Sequence, residues 1–261
     1  MIEKYNLSKK NESHVDIILP NYNKGKFLEE SINSVIKQTY KNWNLFIIDD
    51  NSTDESKKIL KKYQLDNIKI ILLSKNKGVA FCRNLGMRLS KAKYISFIDS
   101  DDYWTNNKLE DQILFMSKFN YKFTYTNYTP FIIKSDKKIY KKKVLVPEMF
   151  NYYQFINNTS IGMSSVIIER SLLGTTRFKK FKICEDYFFK CQILKKIKNA
   201  FRLNQNTMFY RISKGSLQSN KLRNFYWVWY INKNYNHMSL FQNLKSLFFI
   251  IISSVKRYGI K

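Results

Sequence analysis

Three acidic side chains lie within the four consecutive residues Asp99-Ser100-Asp101-Asp102. They directly follow the apolar run at 94–98, which predicts a buried strand. Carboxylates this close repel one another, so bringing them together costs free energy unless a cation lies among them. A hard divalent ion that is held by oxygen ligands and shared with a phosphate suits this arrangement. The cluster therefore predicts a cation site where this strand ends.

Two further polar clusters follow apolar runs earlier in the chain. Pro20-Asn21-Tyr22-Asn23 follows the run at 15–19, and Asp49-Asp50-Asn51-Ser52 follows the run at 45–48. Segments with helical spacing of apolar residues separate these runs. Strands that alternate with helices predict an α/β fold with an open, mostly parallel, Rossmann-like sheet and helices on both faces. Ligands of such sheets bind at the carboxyl ends of the strands, so we expect the three clusters to meet in one crevice.

The other elements are predicted from apolar spacing in the same way. In the first half we expect helices at about 28–36, 55–63 and 79–90 and a strand at 68–73. In the second half we expect strands at 123–133, 164–168 and 207–212, an exposed lysine-rich turn at 136–143 and a helix at 185–197.

The net charge of +26 is unevenly placed along the 261 residues. Asp186 is the last acidic residue, and 14 Lys and Arg follow it. Such a surface favours an anionic partner: phospholipid head groups, nucleic acid or a phosphorylated substrate. Cys82, Cys184 and Cys191 match no zinc-ligand spacing and are predicted to be buried, reduced thiols. The sequence holds no apolar stretch of about 18 residues and its first residues are polar, so neither a spanning helix nor a secretory signal is predicted.

Several nucleotide chemistries are excluded by missing motifs. The segment after the first strand reads Pro-Asn-Tyr-Asn-Lys-Gly and lacks the G-x-G-x-x-G turn of dinucleotide-binding folds. The chain also lacks the glycine-rich phosphate loop of ATP-hydrolysing enzymes. His14 and His237 are the only histidines, which argues against a Ser-His-Asp triad or a histidine-rich metal site. The remaining interpretation is a sheet that holds a nucleoside diphosphate through carboxylates and a metal.

Five motifs occur in order: VDIILPNYN at 15–23, FIIDDNSTD at 46–54, GVAFCRNLG at 78–86, YISFIDSDD at 94–102, and Glu185-Asp186. Together they resemble the successive signatures of family 2 glycosyltransferases of the GT-A fold. The resemblance is strong over residues 13–110, moderate to 215 and absent in the tail. One such motif would be a weak signal, but five in the right order are specific.

The resemblance implies roles for individual residues. Asp50 corresponds to the carboxylate that accepts the N3–H of uracil, and Pro20 and Tyr22 correspond to residues that frame the base. Asp101 corresponds to the metal ligand and Asp186 to the general base. The other implied contacts to the nucleotide or its diphosphate are Asn23, Arg83, Asn84, Asp99 and, as a weaker match, Arg211.

The resemblance also implies a reaction, namely inverting transfer of a hexose, glucose or galactose, from a UDP-sugar. The implied acceptor is an N-acetylhexosamine on undecaprenyl diphosphate, joined through a β linkage in O-antigen or capsule synthesis. The chemistry agrees, since Mn²⁺ or Mg²⁺ would stabilise the leaving diphosphate as a Lewis acid. An acceptor alcohol of high pKa needs a carboxylate to take its proton.

Two other functions fit the sequence less well. A nucleotidyltransferase that makes sugar nucleotides would want a G-x-G-x-R turn after the first strand, which the sequence lacks. A non-enzymatic nucleic-acid binder would explain the positive charge and predicts salt-sensitive binding. It leaves the clustered acids unexplained, so we expect no nucleic-acid partner.

The resemblance predicts a catalytic domain at 1–220, with a nucleotide-binding half at 13–110 and an acceptor-binding half at 111–220. Residues 221–261 form a separate aromatic and basic helical segment. Aromatic and basic side chains on amphipathic helices suit the surface of an anionic membrane. We therefore expect peripheral binding at the cytoplasmic face of a bacterial inner membrane, the alternative being a helix packed on the catalytic domain.

Overall fold

The computed structural model describes residues 14–213 and 221–258. Its first half contains β1 (Val15–Asn21), α1 (Gly25–Ile36), β2 (Trp43–Asp49), α2 (Ser56–Leu60), β3 (Ile68–Leu72), α3 (Val79–Leu89) and β4 (Tyr94–Phe97). The second half continues with β5 (Tyr103–Trp104), α4 (Lys108–Phe119), β6 (Phe123–Lys134), β7 (Lys137–Tyr140), β8 (Met149–Phe150), α5 (Tyr152–Ile156), β9 (Ile167–Glu169), α6 (Glu185–Leu194), β10 (Ala200–Arg211), α7 (Lys221–Asn234) and α8 (Leu240–Tyr258).

The first half forms the parallel sheet that the alternating pattern predicts. Its strands lie in the order β3-β2-β1-β4, and each neighbouring pair is parallel. The apolar runs of β1, β2 and β4 are buried, as strands covered on both faces require. Asn21 pairs with Asp49, and Ile18 pairs with Phe97. The polar residues that follow these strands are therefore carried to the same edge of the sheet.

The second half extends the sheet with strands of mixed direction, in the order β9-β6-β10-β5. β9 runs antiparallel to β4, so the segment before β9 lies at the carboxyl end of β4. β5 runs antiparallel to the end of β10, with Phe209 opposite Tyr103. This register brings Arg211 beside Asp101. Both additions therefore deliver side chains to the edge that the acidic cluster occupies.

Parts of the second half differ from the sequence prediction. Half of the predicted turn at 136–143 is the strand β7, which forms an antiparallel hairpin with β6. Ser135 and Asp136, with φ of 48° and 57°, make its tight turn. The lysines of β7 remain exposed while their backbone pairs with β6, so the composition shows the exposure and hides the strand. β10 is much longer than the predicted strand at 207–212. The prediction was too short because polar residues and register shifts interrupt the strand pattern of β10.

The C-terminal helices α7 and α8 pack against each other and against the body. Ile231 of α7 and Ile250 of α8 belong to the main hydrophobic core. No helix in residues 14–213 or 221–258 is long and apolar enough to cross a bilayer. The division between the catalytic domain and the tail stays a prediction.

Gly86 allows α3 to approach β1 closely. A Cβ atom at this position would lie 2.6 Å from Cγ2 of Ile18, which is fully buried. The β-branched side chain of Ile18 has little freedom to move away. The glycine in the third motif therefore has a packing role, and α3 carries Arg83 and Asn84 towards the crevice.

We predict that Gly86→Ala lowers the free energy of unfolding by about 1–3 kcal/mol, because the added methyl overpacks the α3–β1 contact. Urea denaturation monitored by circular dichroism measures the change. Gly162→Ala is the matched control, because its Cβ would meet Met208 Cε at an ordinary 3.4 Å. Equal stability of the two variants would contradict the packing argument.

Candidate active site

A buried hydrogen-bond network holds the ends of β1 and β2 together. The Asn21 side-chain amide donates to Asp49 Oδ2 at 2.8 Å and to the Ser52 hydroxyl at 3.2 Å. The backbone N–H of Asn23 donates to the same hydroxyl at 2.9 Å. Asn23 has a φ of 50°, a left-handed conformation that asparagine tolerates better than most residues. These bonds fix the segment that presents Tyr22, whose ring is 48% exposed, while Pro20 before it is buried.

Asp50 organises the loop before α3. Its two carboxylate oxygens accept the backbone N–H groups of Lys77 and Gly78, both at 2.7 Å. Gly78 has a φ of 89°, a region that suits glycine. Asp50 is 2% exposed, so its position is set by these two bonds. The loop and the carboxylate are thereby locked to each other beside Tyr22's strand end.

Arg83 joins the two halves of the site. Its Nη2 donates to Asp99 Oδ1 at 2.7 Å, and its Nη1 donates to Glu185 Oε1 at 2.7 Å. Burial alone would lower the pKa of the Arg83 guanidinium, but Asp99 and Glu185 raise it above its ordinary value. The guanidinium carbon also lies 5.2 Å from the centroid of the Phe178 ring. A buried cation therefore bridges the end of β4 and the first turn of α6.

Asn84 connects α3 to a different segment. Its amide donates to the backbone oxygen of Phe178 at 2.8 Å and accepts the N–H of Phe178 at 2.9 Å. These two hydrogen bonds to the backbone fix the loop before α6. The nucleotide contact implied for Asn84 stays a prediction.

The sequence predicted one cation among the three carboxylates of the acidic cluster. In the fold, each carboxylate instead has its own protein partners. Asp99 pairs with Arg83, and Asp101 Oδ2 pairs with Lys24 Nζ at 2.7 Å. Asp102 points into the protein, where it is 2% exposed. The repulsion among the acids is relieved because the fold supplies a separate partner to each.

Asp102 ties residues 99–102, which we call the acidic loop, to two distant elements. Its carboxylate oxygens accept the Ser164 hydroxyl at 2.7 Å and the backbone N–H of Arg211 at 3.1 Å. Ser164 also accepts the backbone N–H of Asp99 at 3.0 Å. Burial raises the pKa of the Asp102 carboxyl well above its usual range, and Asp101 and Asp99 add to this effect. Asp102 therefore acts in the framework of the site, a role that the sequence left unassigned.

Arg211 lies under the acidic loop. Its Nε donates to the backbone oxygen of Asp101 at 2.9 Å, and its Nη2 donates to Glu30 at 2.6 Å. Glu30 also pairs with Lys138 of the β6–β7 hairpin. The remaining nitrogen, Nη1, is buried and has no hydrogen-bond partner in the described structure. An unsatisfied charged donor at this place suits an anionic ligand.

Asp186 occupies the first turn of α6 and pairs with a buried lysine one turn later. Lys190 Nζ donates to Asp186 Oδ2 at 2.8 Å and to the backbone oxygen of Ile161 at 2.7 Å. The lysine side chain is 3% exposed, and that of Asp186 is 22% exposed. Burial alone would raise the pKa of the Asp186 carboxyl, but Lys190 and then Arg83 outweigh it and leave the pKa lowered.

Glu185 behaves in the opposite way to its neighbour. Burial raises the pKa of the Glu185 carboxyl; Arg83 lowers it and Asp186 raises it, and the net direction is upward. Environments that separate two adjacent carboxylates in this manner are typical of sites where the two have different tasks. Asp186 is the one kept ionised and partly accessible.

The acidic loop suits a metal that arrives with a phosphate ligand. No three His, Cys, Asp or Glu side chains among residues 14–213 and 221–258 are placed to hold an ion between them. Asp99 and Asp101 are 35% and 20% exposed. Mg²⁺ commonly binds through one or two carboxylates together with substrate phosphates and water. Asp101, with Asp99 beside it, fits that kind of site better than a cage made by protein alone.

The fold is the GT-A fold, and the acidic residues described above lie at the carboxyl edge of its sheet. Residues 1–349 of Staphylococcus aureus TarS, in complex with UDP-GlcNAc, superpose with a TM-score of 0.70 at 19% identity, covering 93% of this chain and 73% of that one. A Pyrobaculum calidifontis mannosyltransferase in complex with GDP-Man and Mn²⁺ superposes with a TM-score of 0.66 at 13% identity, covering 95% and 76%.

The chain belongs to glycosyl transferase family 2, whose model matches residues 16–213. It is 36% identical to the Escherichia coli UDP-Glc:α-D-GlcNAc-diphosphoundecaprenol β-1,3-glucosyltransferase WfgD, over 82% of this chain and 83% of that one. It is 31% identical to the putative teichuronic acid biosynthesis glycosyltransferase TuaG of Bacillus subtilis (strain 168), over 83% and 86%. The chain is therefore a glycosyltransferase, as the five motifs predicted.

Three residues of the site were not predicted from the sequence. Lys24 meets Asp101 across 77 positions, and Ser164 meets Asp102 across 62. Neither spacing leaves a local pattern. Lys190 lies four residues after Asp186, a spacing that places two side chains on one helix face. That signal was present in the sequence, and a lysine among the apolar residues of a buried helix was the clue to it.

We predict that Lys24→Met strengthens binding of Mn²⁺ to the protein without donor, because Lys24 no longer competes for the Asp101 carboxylate. A partly exposed ion pair of this kind corresponds to a modest gain, about two- to fivefold in affinity. Titration of free Mn²⁺ by electron paramagnetic resonance measures it. Lys26→Met, at an exposed position two residues on, is the control. Unchanged affinity in Lys24→Met would show that the pair does not occupy the metal position.

Proposed function

We propose that this glycosyltransferase moves a hexose, glucose or galactose, from a UDP-sugar to an N-acetylhexosamine on undecaprenyl diphosphate. The transfer inverts the anomeric carbon and forms a β linkage, in the synthesis of an O-antigen or capsule repeat unit. The observation that carries this proposal is the Arg83 bridge, which joins Asp99 at the nucleotide edge to Glu185, the neighbour of Asp186. Donor-side and base-side residues are thus parts of one rigid site.

Uridine binding is supported by Asp50 and Tyr22. The buried Asp50 carboxylate is fixed by two backbone bonds, so it can accept a further N–H, that of uracil N3, without reorganising. The half-exposed Tyr22 ring offers a face on which a base can stack. The similar protein WfgD is named as a UDP-Glc-dependent transferase, and the TarS structure contains UDP-GlcNAc.

The diphosphate would lie over the acidic loop. Asp101 would hold Mn²⁺ or Mg²⁺, with Asp99 nearer the ribose and donor sugar. When bound, the ion would neutralise the negative charge that grows on the leaving diphosphate. Arg211 Nη1 is a buried donor without a partner in the described structure, and a phosphate oxygen would satisfy it. Lys24, once released from Asp101, is a second cation within reach of the same group.

Asp186 would take the proton of the acceptor hydroxyl as that oxygen attacks the anomeric carbon. The C–O bond to the acceptor forms while the bond from the sugar to the diphosphate breaks, so a single displacement inverts the configuration. Lys190 holds one carboxylate oxygen of Asp186 and keeps the group ionised. The side chain stays partly accessible, as a base that must reach a substrate requires.

The acceptor assignment follows the lipid-linked substrate in the name of WfgD. A polyprenyl diphosphate is anchored in a membrane and is strongly anionic. The enzyme would therefore act at the cytoplasmic face of the inner membrane, bound peripherally to its anionic surface. The excess of cationic residues after Asp186 supports such a partner.

We predict that Asp186→Asn lowers the rate of transfer by about 10²- to 10⁴-fold, the usual contribution of a positioned general base. A screen of UDP-sugars with Mn²⁺ and a lipid-linked N-acetylhexosamine acceptor measures transfer, and calorimetry measures UDP binding, which we expect to be retained. Asp136→Asn, at the exposed hairpin turn, is the matched control. Full activity in Asp186→Asn would refute the base assignment, and absence of transfer from every UDP-sugar by wild type would refute the proposed donor class.

We predict that Lys190→Met moves the acid limb of the kcat/KM profile to higher pH. Asp186 must be ionised to act, and its pKa is held down chiefly by Lys190 against the effect of burial. Without the lysine, burial dominates and the carboxyl takes up a proton at higher pH. Lys198→Met, at an exposed position just after the same helix, should leave the profile unchanged. Coincident acid limbs in wild type and Lys190→Met would contradict this account.

A further inference from the structure

The helix α8 turns several uncharged polar residues inward. Asn243 and Ser246 are buried against the body, at 1% and 0% exposure. The amide of Asn232 on α7 donates to Asn243 Oδ1 at 3.3 Å and to Ser246 Oγ at 3.4 Å. Ser253 donates to the backbone oxygen of Asn158 at 3.5 Å. A helix on the surface of a water-soluble domain normally presents such residues to the solvent.

The outward side of the same helix is apolar. Five exposed residues recur at intervals of three and four, which places them on one face. Their exposed fractions are 76% for Phe241, 53% for Leu244, 60% for Phe248, 44% for Ile251 and 39% for Val255. We call these five residues the α8 stripe. A continuous exposed apolar stripe of this length normally marks a surface that contacts a partner.

The charges beside the α8 stripe have one sign. Lys245 and Lys256 are exposed on the same helix, and no Asp or Glu occurs after Asp186. Long lysine side chains can extend to lipid head groups while the helix lies at the level of the acyl boundary. An apolar face on a helix whose charged residues are all cations is typical of a helix that lies in the interface of an anionic membrane.

We propose that the α8 stripe is the membrane-docking surface of this protein and that its partner is an anionic lipid bilayer. The helix would lie flat in the interfacial layer, with Phe241, Phe248 and Ile251 among the acyl chains. This inference rests on the proposed function only in that a lipid-linked acceptor gives the docking a purpose. The polarity of the helix is independent of any catalytic assignment.

A second copy of the chain fits the stripe less well. Two such faces in contact would bring Lys245 and Lys256 of both copies together without an acidic residue to pair with them. Each chain also carries a net charge of +26, which opposes association. Charge complementarity thus favours lipid over a homodimer.

Contacts connect α8 to the base. Ser246 donates to the backbone oxygen of Ile156. The short segment that follows leads to Ile161, whose backbone oxygen accepts from Lys190. The hydroxyl of Tyr187, next to Asp186, donates to Asn232 at 2.6 Å, and Asn232 in turn binds α8. The docking helix is therefore fastened to the part of the site that would receive the acceptor.

Vesicle flotation of the full chain tests the proposal. We expect wild type to float with vesicles that contain phosphatidylglycerol and to float much less with pure phosphatidylcholine. Phe248→Ser combined with Ile251→Ser should reduce binding to the anionic vesicles at least about tenfold, because two large apolar side chains no longer leave water. Leu65→Ser combined with Leu145→Ser removes exposed apolar residues elsewhere and should bind like wild type.

Equal flotation of the stripe variant and wild type would overturn the proposal, and so would equal binding to neutral and anionic vesicles. Analytical ultracentrifugation tests for a second copy as the partner. A dimeric wild type and a monomeric stripe variant, without vesicle binding by either, would also overturn the proposal. Thermal melts confirm that the variants fold. Transfer to a water-soluble acceptor separates the two proposals, since the stripe variant should retain it. Failure of that transfer in every protein would count against the proposed function and leave the flotation result intact.

Discussion

The buried guanidinium of Arg83 is the interaction on which the site depends. It contacts Asp99 at the end of β4 and Glu185 at the start of α6, two elements that are far apart in the chain. Burial of this arginine to 4% exposure is tolerated because each of its two terminal nitrogens donates to a carboxylate. Removing it would leave two acids without their cation beside further acids, a larger loss than that of one hydrogen bond.

Around this bridge, each remaining acid has a separate role set by its surroundings. Asp50 holds a loop by two backbone bonds, Asp102 is buried as a structural tie, and Asp101 faces the crevice with Lys24. Asp186 is kept ionised by Lys190. Burial and the nearest cation thus give chemically identical side chains the different surroundings that a framework residue, the proposed metal ligand and the proposed base require.

The edge of the sheet where the site lies could be predicted from sequence because parallel strands carry their carboxyl ends to one edge. The runs that became β1, β2 and β4 are apolar, and the residues after them are polar, so local patterns were sufficient. The structural role of Asp102 could not be predicted, since it depends on Ser164 and Arg211, which tertiary folding brings to Asp102. The strand β7 could not be predicted because its side chains are all exposed, so no apolar alternation marks it, while its backbone pairs with β6.

The Lys24–Asp101 ion pair has a consequence for the thermodynamics of ligand binding. If Asp101 holds the metal as proposed, the ion would displace Lys24 Nζ from Asp101 Oδ2, and a bound diphosphate would give the released lysine a new anionic partner. Metal and nucleotide would then each increase the affinity of the protein for the other, by the same factor in both directions. The protein would hold either one weakly alone and would take up the metal–nucleotide complex as a unit.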